Sequence, residues 1–190
     1  MHSEPPVVPP VAKKGMSTGC IVGLVLGIVA AIGLVIVGVL VALAVPAANG
    51  VIKKANLVRT QAALKDIELA VKNYHTEFAR YPGGEGEIEC AGALLQVLVG
   101  TNADGLNVRQ IRFMEPPMAR GGKGGLTGTA PAFTLLDVWG QSYRVTLDTD
   151  GDGKVSDPEH PGMWLAHPVI VWSSGEDGQP TTWADNIKSW

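Results

Sequence analysis

Between Asp148 and Glu159 the chain reads DTDGDGKVSDPE, with carboxylates at the first, third, fifth and last positions and Gly153 at the sixth. This fits D-x-[DN]-x-[DN]-G-x5-E, the loop in which carboxylates ring a hard cation, glycine permits a sharp turn and a final Glu closes the site with both oxygens. The candidate calcium ligands are the side chains of Asp148, Asp150, Asp152 and Glu159, with the Lys154 carbonyl at the seventh position and Ser156 at the ninth. An EF-hand also requires a helix on each side. Here QSYRVTL before the loop is β-branched and alternating, and PEHPG after it cannot be helical. The spacing therefore predicts a calcium loop that braces a β-hairpin. The alternative is a solvated Asp/Gly turn; Glu159 and Ser156, in template positions a chance turn need not fill, favour binding.

Other residue sets that could carry chemistry fall short of their templates. GGKGGLTGT lacks G-K-[ST] at the required spacing and follows no strand, so it reads as a flexible loop rather than a phosphate cradle. His75, His160 and His167 have no metal-ligand spacing among them, and no G-x-S-x-G accompanies them. No enzyme and no small-molecule substrate is expected. Trp139, Trp172 and Trp190 are expected to pack a helix against a sheet, since so small a domain depends on a few large side chains. The net charge of −3 hides a division: nine acidic and three basic residues lie from Asp137 to Trp190, against eight and ten from Val51 to Pro131. Nothing is basic and aromatic enough for a nucleic-acid surface. Cys20 lies in an apolar run, so Cys20 and Cys90 cannot staple the domain.

These residues need elements to hold them. Residues 1–19 form a Pro-rich lead expected to be disordered. No charge occurs from Gly15 to Val51, and CIVGLVLGIVAAIGLVIVGVLVALAV exceeds the roughly 20 apolar residues of a spanning helix and the about 7–15 of a signal-peptide core. A retained transmembrane helix is predicted over 20–48. Lysines flank it on both sides, so the positive-inside rule does not orient it. Over 49–81 Ala55, Ala63, Ile67, Ala70, Tyr74 and Phe78 recur at helical spacing, predicting an amphipathic continuation that stops before Pro82, with Pro46 kinking the rod. Residues 82–132 read as a short helix, Ala91 to Val99, and a Gly/Pro-rich loop. From 133 to 190, FTLLDV, SYRVTL and PVIVWS predict a small antiparallel sheet covered by the amphipathic helix. The predicted class is α+β.

Four segments carry a family resemblance: LAVPAANGVIKKA, ALKDIELAVKNYHTEFARYPGG, LLDVWGQSYRV and SSGEDGQPTTWADNIKSW. Together they resemble the major pseudopilin of bacterial type II secretion systems, within the type IV pilin-like class. The resemblance covers most of Leu43 to Trp190 in order. It implies a pilin-like fold and a structural subunit of a periplasmic filament of a protein secretion system, a homo-oligomer or filament with other pseudopilins. It implies a single-pass protein of the bacterial inner membrane with its C-terminal domain in the periplasm. It also implies a calcium site in the terminal loop, at Asp177, Asp185 and Asn186. Two departures stand against the pattern. KKGM supplies a processing site at Gly15-Met16, yet the fifth residue after Gly15 is Cys20 where the family has Glu, and the apolar run before Pro46 is about nine residues longer than the family pattern. Val138 replaces a proline. The alternative reading is a non-polymerising, single-pass, membrane-anchored calcium-binding module.

Overall fold

The computed structural model describes residues 18–190. The predicted processing site and nearly all of the lead lie outside the described residues. Contacts divide the chain into two units, Met1–Val51 and Ile52–Trp190. One helix, α1 (Thr18–Phe78), supplies the described part of the first unit and begins the second. It runs unbroken through Pro46, whose missing N–H removes one backbone bond without ending a helix.

In the first unit, the 19 residues Val22–Leu40 are long and apolar enough to cross a membrane, and all are exposed. At 1.5 Å per residue they extend about 28 Å, close to the thickness of a bilayer's hydrocarbon.

The second unit is a head with its own core. Along α1 the buried positions are Thr60, Leu64, Ile67, Glu68, Ala70, Val71 and Tyr74, on one side of the helix. Ile67, Ala70 and Tyr74 are buried as predicted and Ala63 and Phe78 pack partly covered against the core, but Ala55 is exposed, and Leu64 and Val71 widen the face. The helix ends at Phe78, four residues before Pro82, with Ala79 in the left-handed region at φ 52°. After β1 (Glu87–Glu89) comes α2 (Gly92–Leu98), close to the predicted short helix. Leu94, Leu95, Val97 and Leu98 of α2 join the α1 residues in one cluster.

The remaining strands are β2 (Gly125–Thr127), β3 (Thr134–Leu136), β4 (Arg144–Leu147), β5 (Val155–Ser156), β6 (Trp164–Leu165), β7 (Val169–Ser173) and β8 (Ile187–Lys188). The main sheet is antiparallel in the order β1-β4-β7-β8. Its register sets Val145 opposite Val171 and Ser173 opposite Ile187. Val145, Leu147, Val169, Val171 and Ile187 face the helical cluster. The chain is therefore α+β, with an N-terminal apolar helix and a small antiparallel sheet.

Two expectations are corrected. FTLLDV does not enter the main sheet: β3 pairs with β2, inside the segment expected to be loop. That pairing depends on Gly125, where an added Cβ would lie 2.3 Å from the Pro117 carbonyl oxygen, so only glycine lets the 117–119 backbone lie alongside. Trp172 and Trp190 do not pack the helix on the sheet. Alternation along β7 sends Val169 and Val171 to the helical cluster and Ile170 and Trp172 to the other face, where Trp172 meets Trp183 at 4.8 Å and Trp183 meets Trp190 at 6.4 Å. Trp139 does pack against the main core.

Candidate functional site

The loop after β4 opens on Asp148, a buried carboxylate at the strand end. Its Oδ1 accepts the backbone N–H groups of Gly151 (2.9 Å) and Asp152 (3.1 Å), and Oδ2 accepts that of Gly153 (2.9 Å). Gly151 and Gly153 take φ of 75° and 82°, which lets the chain curl around this carboxylate. Asp150 and Asp152 follow on the exposed side, and a ligand atom from each of Asp148, Asp150 and Asp152 lies within 4.8 Å of the others. Three of the predicted ligands are thus brought together.

The others are not. Ser156 lies in β5, paired with Trp164. Lys154 sends its backbone N–H to Asp152 Oδ1 at 2.8 Å. Glu159 accepts from Lys188 Nζ at 2.5 Å and groups with Asp157 and His160. Asp157, which the template does not mark, is the buried member of that second group. It accepts from the Glu159 N–H at 2.9 Å and bonds His160 Nδ1 at 3.0 Å. Burial pushes its carboxyl up, but the hydrogen bond to His160 and the N–H groups of Glu159 and His160 outweigh this, so it ionises below the ordinary carboxylate range.

Calcium takes six to eight oxygens, and the all-oxygen donor set suits it. Both lone pairs of Asp148 Oδ1 are already engaged, so Asp148 would offer Oδ2, with Asp150 and Asp152 completing three side-chain donors. Carbonyls and water would supply the rest. The residues fit the ion in part, with Glu159 held elsewhere.

In the terminal loop, Asp185 Oδ2 accepts the N–H groups of Glu176 (2.7 Å) and Asp177 (3.0 Å), and Asp177 Oδ1 accepts that of Gln179 (2.7 Å). Gly175, at φ 68°, leaves room for Asp185: an added Cβ would sit 2.3 Å from its carbonyl oxygen. Asn186 donates to the Pro180 carbonyl at 3.2 Å, while its buried Oδ1 has no hydrogen-bond partner. Of the resemblance-implied residues, Asp177 and Asp185 thus accept backbone N–H groups within the loop, and Asn186 ties to Pro180.

Beside this loop lies Asp137, fully buried and absent from the predicted site. Its Oδ1 accepts the N–H groups of Trp139, Gly140 and Gln141 at 2.8–2.9 Å, and its Oδ2 accepts the Ser173 hydroxyl at 2.6 Å. Ser173 Oγ in turn accepts the Gly175 N–H. The segments LLDVWGQSYRV and SSGEDGQPTTWADNIKSW thus interlock, with Gln141 against Gly178.

The three histidines are dispersed. His75 stacks on Tyr81 at 4.3 Å, His160 bonds Asp157, and His167 is half-buried. Cys90 is buried, and burial pushes its thiol up to about 12, a protonated and inert group. No family model, curated protein or solved structure matches the chain.

Proposed function

We propose that the protein is a pseudopilin-like structural subunit of a periplasmic filament of a type II protein secretion system, anchored in the inner membrane by its single apolar helix. The observation that carries this reading is the interlock through Asp137 and Ser173, because it joins two of the four segments on which the family resemblance rests. A motif whose residues meet in space has a structural reason to be a motif. Support also comes from α1, whose apolar part has no cover among the described residues while its later part joins the head's core. In this reading the function is assembly. Exposed apolar helix faces bury against those of neighbouring subunits, and calcium braces the 148–153 and 175–186 loops, binding free energy becoming folding free energy.

A second reading is favoured by one specific feature. The span contains no Glu, and Cys20 stands at the fifth position after Gly15, which suits a permanently anchored calcium-binding module that does not polymerise. The N-terminal mass of protein extracted from its native membrane separates the two. A chain beginning at Met16, especially a methylated one, is expected of the filament subunit; an intact Met1 supports the anchored module.

A further inference from the structure

Beyond Val58, five large apolar side chains are exposed among the described residues: Leu69, Val108, Met118, Met163 and Trp164. Four of them gather in two places. Leu69 and Met118 border a groove of about 820 Å³ between α1 and the β2–β3 hairpin, floored by Phe113 and Leu136. Met163 and Trp164, 62% and 65% exposed, project from the β5–β6 hairpin. The projection is fixed rather than frayed: Met163 donates to the His160 carbonyl at 3.0 Å and accepts from the Asp157 N–H at 2.9 Å, and Trp164 is paired with Ser156.

The two places are also complementary in charge. The groove carries Arg59, Arg120 and Lys123, opposed by Asp66 and by Glu115, which is already paired with Arg112 at 3.1 Å. Between Asp148 and Glu159 stand five carboxylates and one lysine; with Glu159 paired to Lys188, an excess of three negative charges is left, which one bound divalent cation would not cancel. The places lie at opposite ends of β4. Tyr143, directly before the strand, lines the groove, and Asp148, directly after it, opens the loop that leads to the hairpin. From Tyr143 to Asp148 the strand advances about 17 Å. A projection and a matching groove can meet reciprocally in a two-fold dimer or singly in a head-to-tail series; the filament reading selects the second, and a ladder rather than a dimer from the doubly substituted chain tells them apart. A head-to-tail contact propagates as an open filament.

We propose that Met163 and Trp164 of one copy seat in the α1/β2–β3 groove of a second copy, and that this contact sets the order of heads along the filament. The inference rests on the filament reading above. Tryptophan in a largely apolar recess is the usual anchor of an interface, and the surrounding charges set its register.

The test is oxidative cross-linking of the full-length chain in native membranes, in a Cys20→Ala background with Cys90 buried. Met163→Cys in one tagged copy and Met118→Cys in another should give a mixed dimer, and both substitutions in one chain should give a ladder. Either substitution alone should give neither. Trp164→Ala should reduce the ladder at least about tenfold. Ile36→Cys, exposed in the apolar span, reports assembly independently. A dimer from Ile36→Cys with no ladder from the head pair, or equal yield when Val108→Cys replaces Met163→Cys, overturns the proposed contact and leaves the filament standing. Absence of both the Ile36→Cys dimer and the head-pair ladder overturns the filament reading as well.

Discussion

Ile67 has no exposed surface and sits in the cluster formed by α1, α2 and the main sheet. Truncating it to alanine removes buried methyl and methylene groups and leaves a cavity, at a cost of about 2–5 kcal/mol. The head spans 139 residues, Ile52–Trp190. For a domain of that size each kcal/mol lowers Tm by about 3 °C, so Ile67→Ala should lower it by about 6–15 °C. Ile67→Asp should leave the head unfolded, because it buries an unpaired charge as well. Leu69, two residues along the same helix and 58% exposed, is the internal control; Leu69→Ala should change stability by no more than about 0.5 kcal/mol. All five tryptophans lie in the head, so their fluorescence in the full-length chain in detergent reports head unfolding alone. If Ile67→Ala and Leu69→Ala melt within about 2 °C of each other and of wild type, the burial argument for this helical face is refuted.

Asp137→Ala strands three backbone N–H groups and the Ser173 hydroxyl, so the same melt should show a loss of about 3 kcal/mol or more. Asp157 and Glu68 both ionise below the ordinary carboxylate range. At Glu68 burial opposes this, but Lys72 and Lys65 outweigh it. A carboxyl lowered in the folded state contributes stability above its unfolded pKa and loses it as pH falls through the folded value. Tm should therefore be flat from neutral pH to about 5 and fall below about 4, less steeply in Asp157→Asn. If the proposed calcium sites fill, free calcium at a hundred times Kd should stabilise the head by about 2.7 kcal/mol per site. Asp150→Ala should abolish the gain from one loop and Asp177→Ala that from the other; equal Tm with calcium and with chelator would leave both as solvated turns.

Periodicity made the apolar span, α2 and the strands β4 and β7 legible in the sequence, because each is long or strongly patterned. β1 and β8 were not, since two or three residues carry no period. β2 was hidden in a glycine run whose pairing depends on the close approach of residues 117–119 to Gly125, a tertiary fact. The amphipathic face was legible at Ile67, Ala70 and Tyr74 but drawn too narrow, because Ala55 imitates a core position and Leu64 and Val71 fill the stripe. At the site, spacing brought Asp148, Asp150 and Asp152 together correctly. It could not foresee that Lys188, 29 residues away, holds Glu159. Asp157 stood in an unmarked template position, and Asp137 was noticed only within a motif. Their burial and bonding depend on strands that neither spacing nor composition specifies.

Filaments sheared from the native cells and imaged by electron microscopy, with the protein content of the sheared fraction determined by mass spectrometry, test the central claim most directly. The account predicts ordered filaments yielding peptides of this chain's head, including the Val155–Trp172 stretch. Finding the chain wholly in the membrane as a detergent-soluble monomer, with none in the filament fraction, would contradict it.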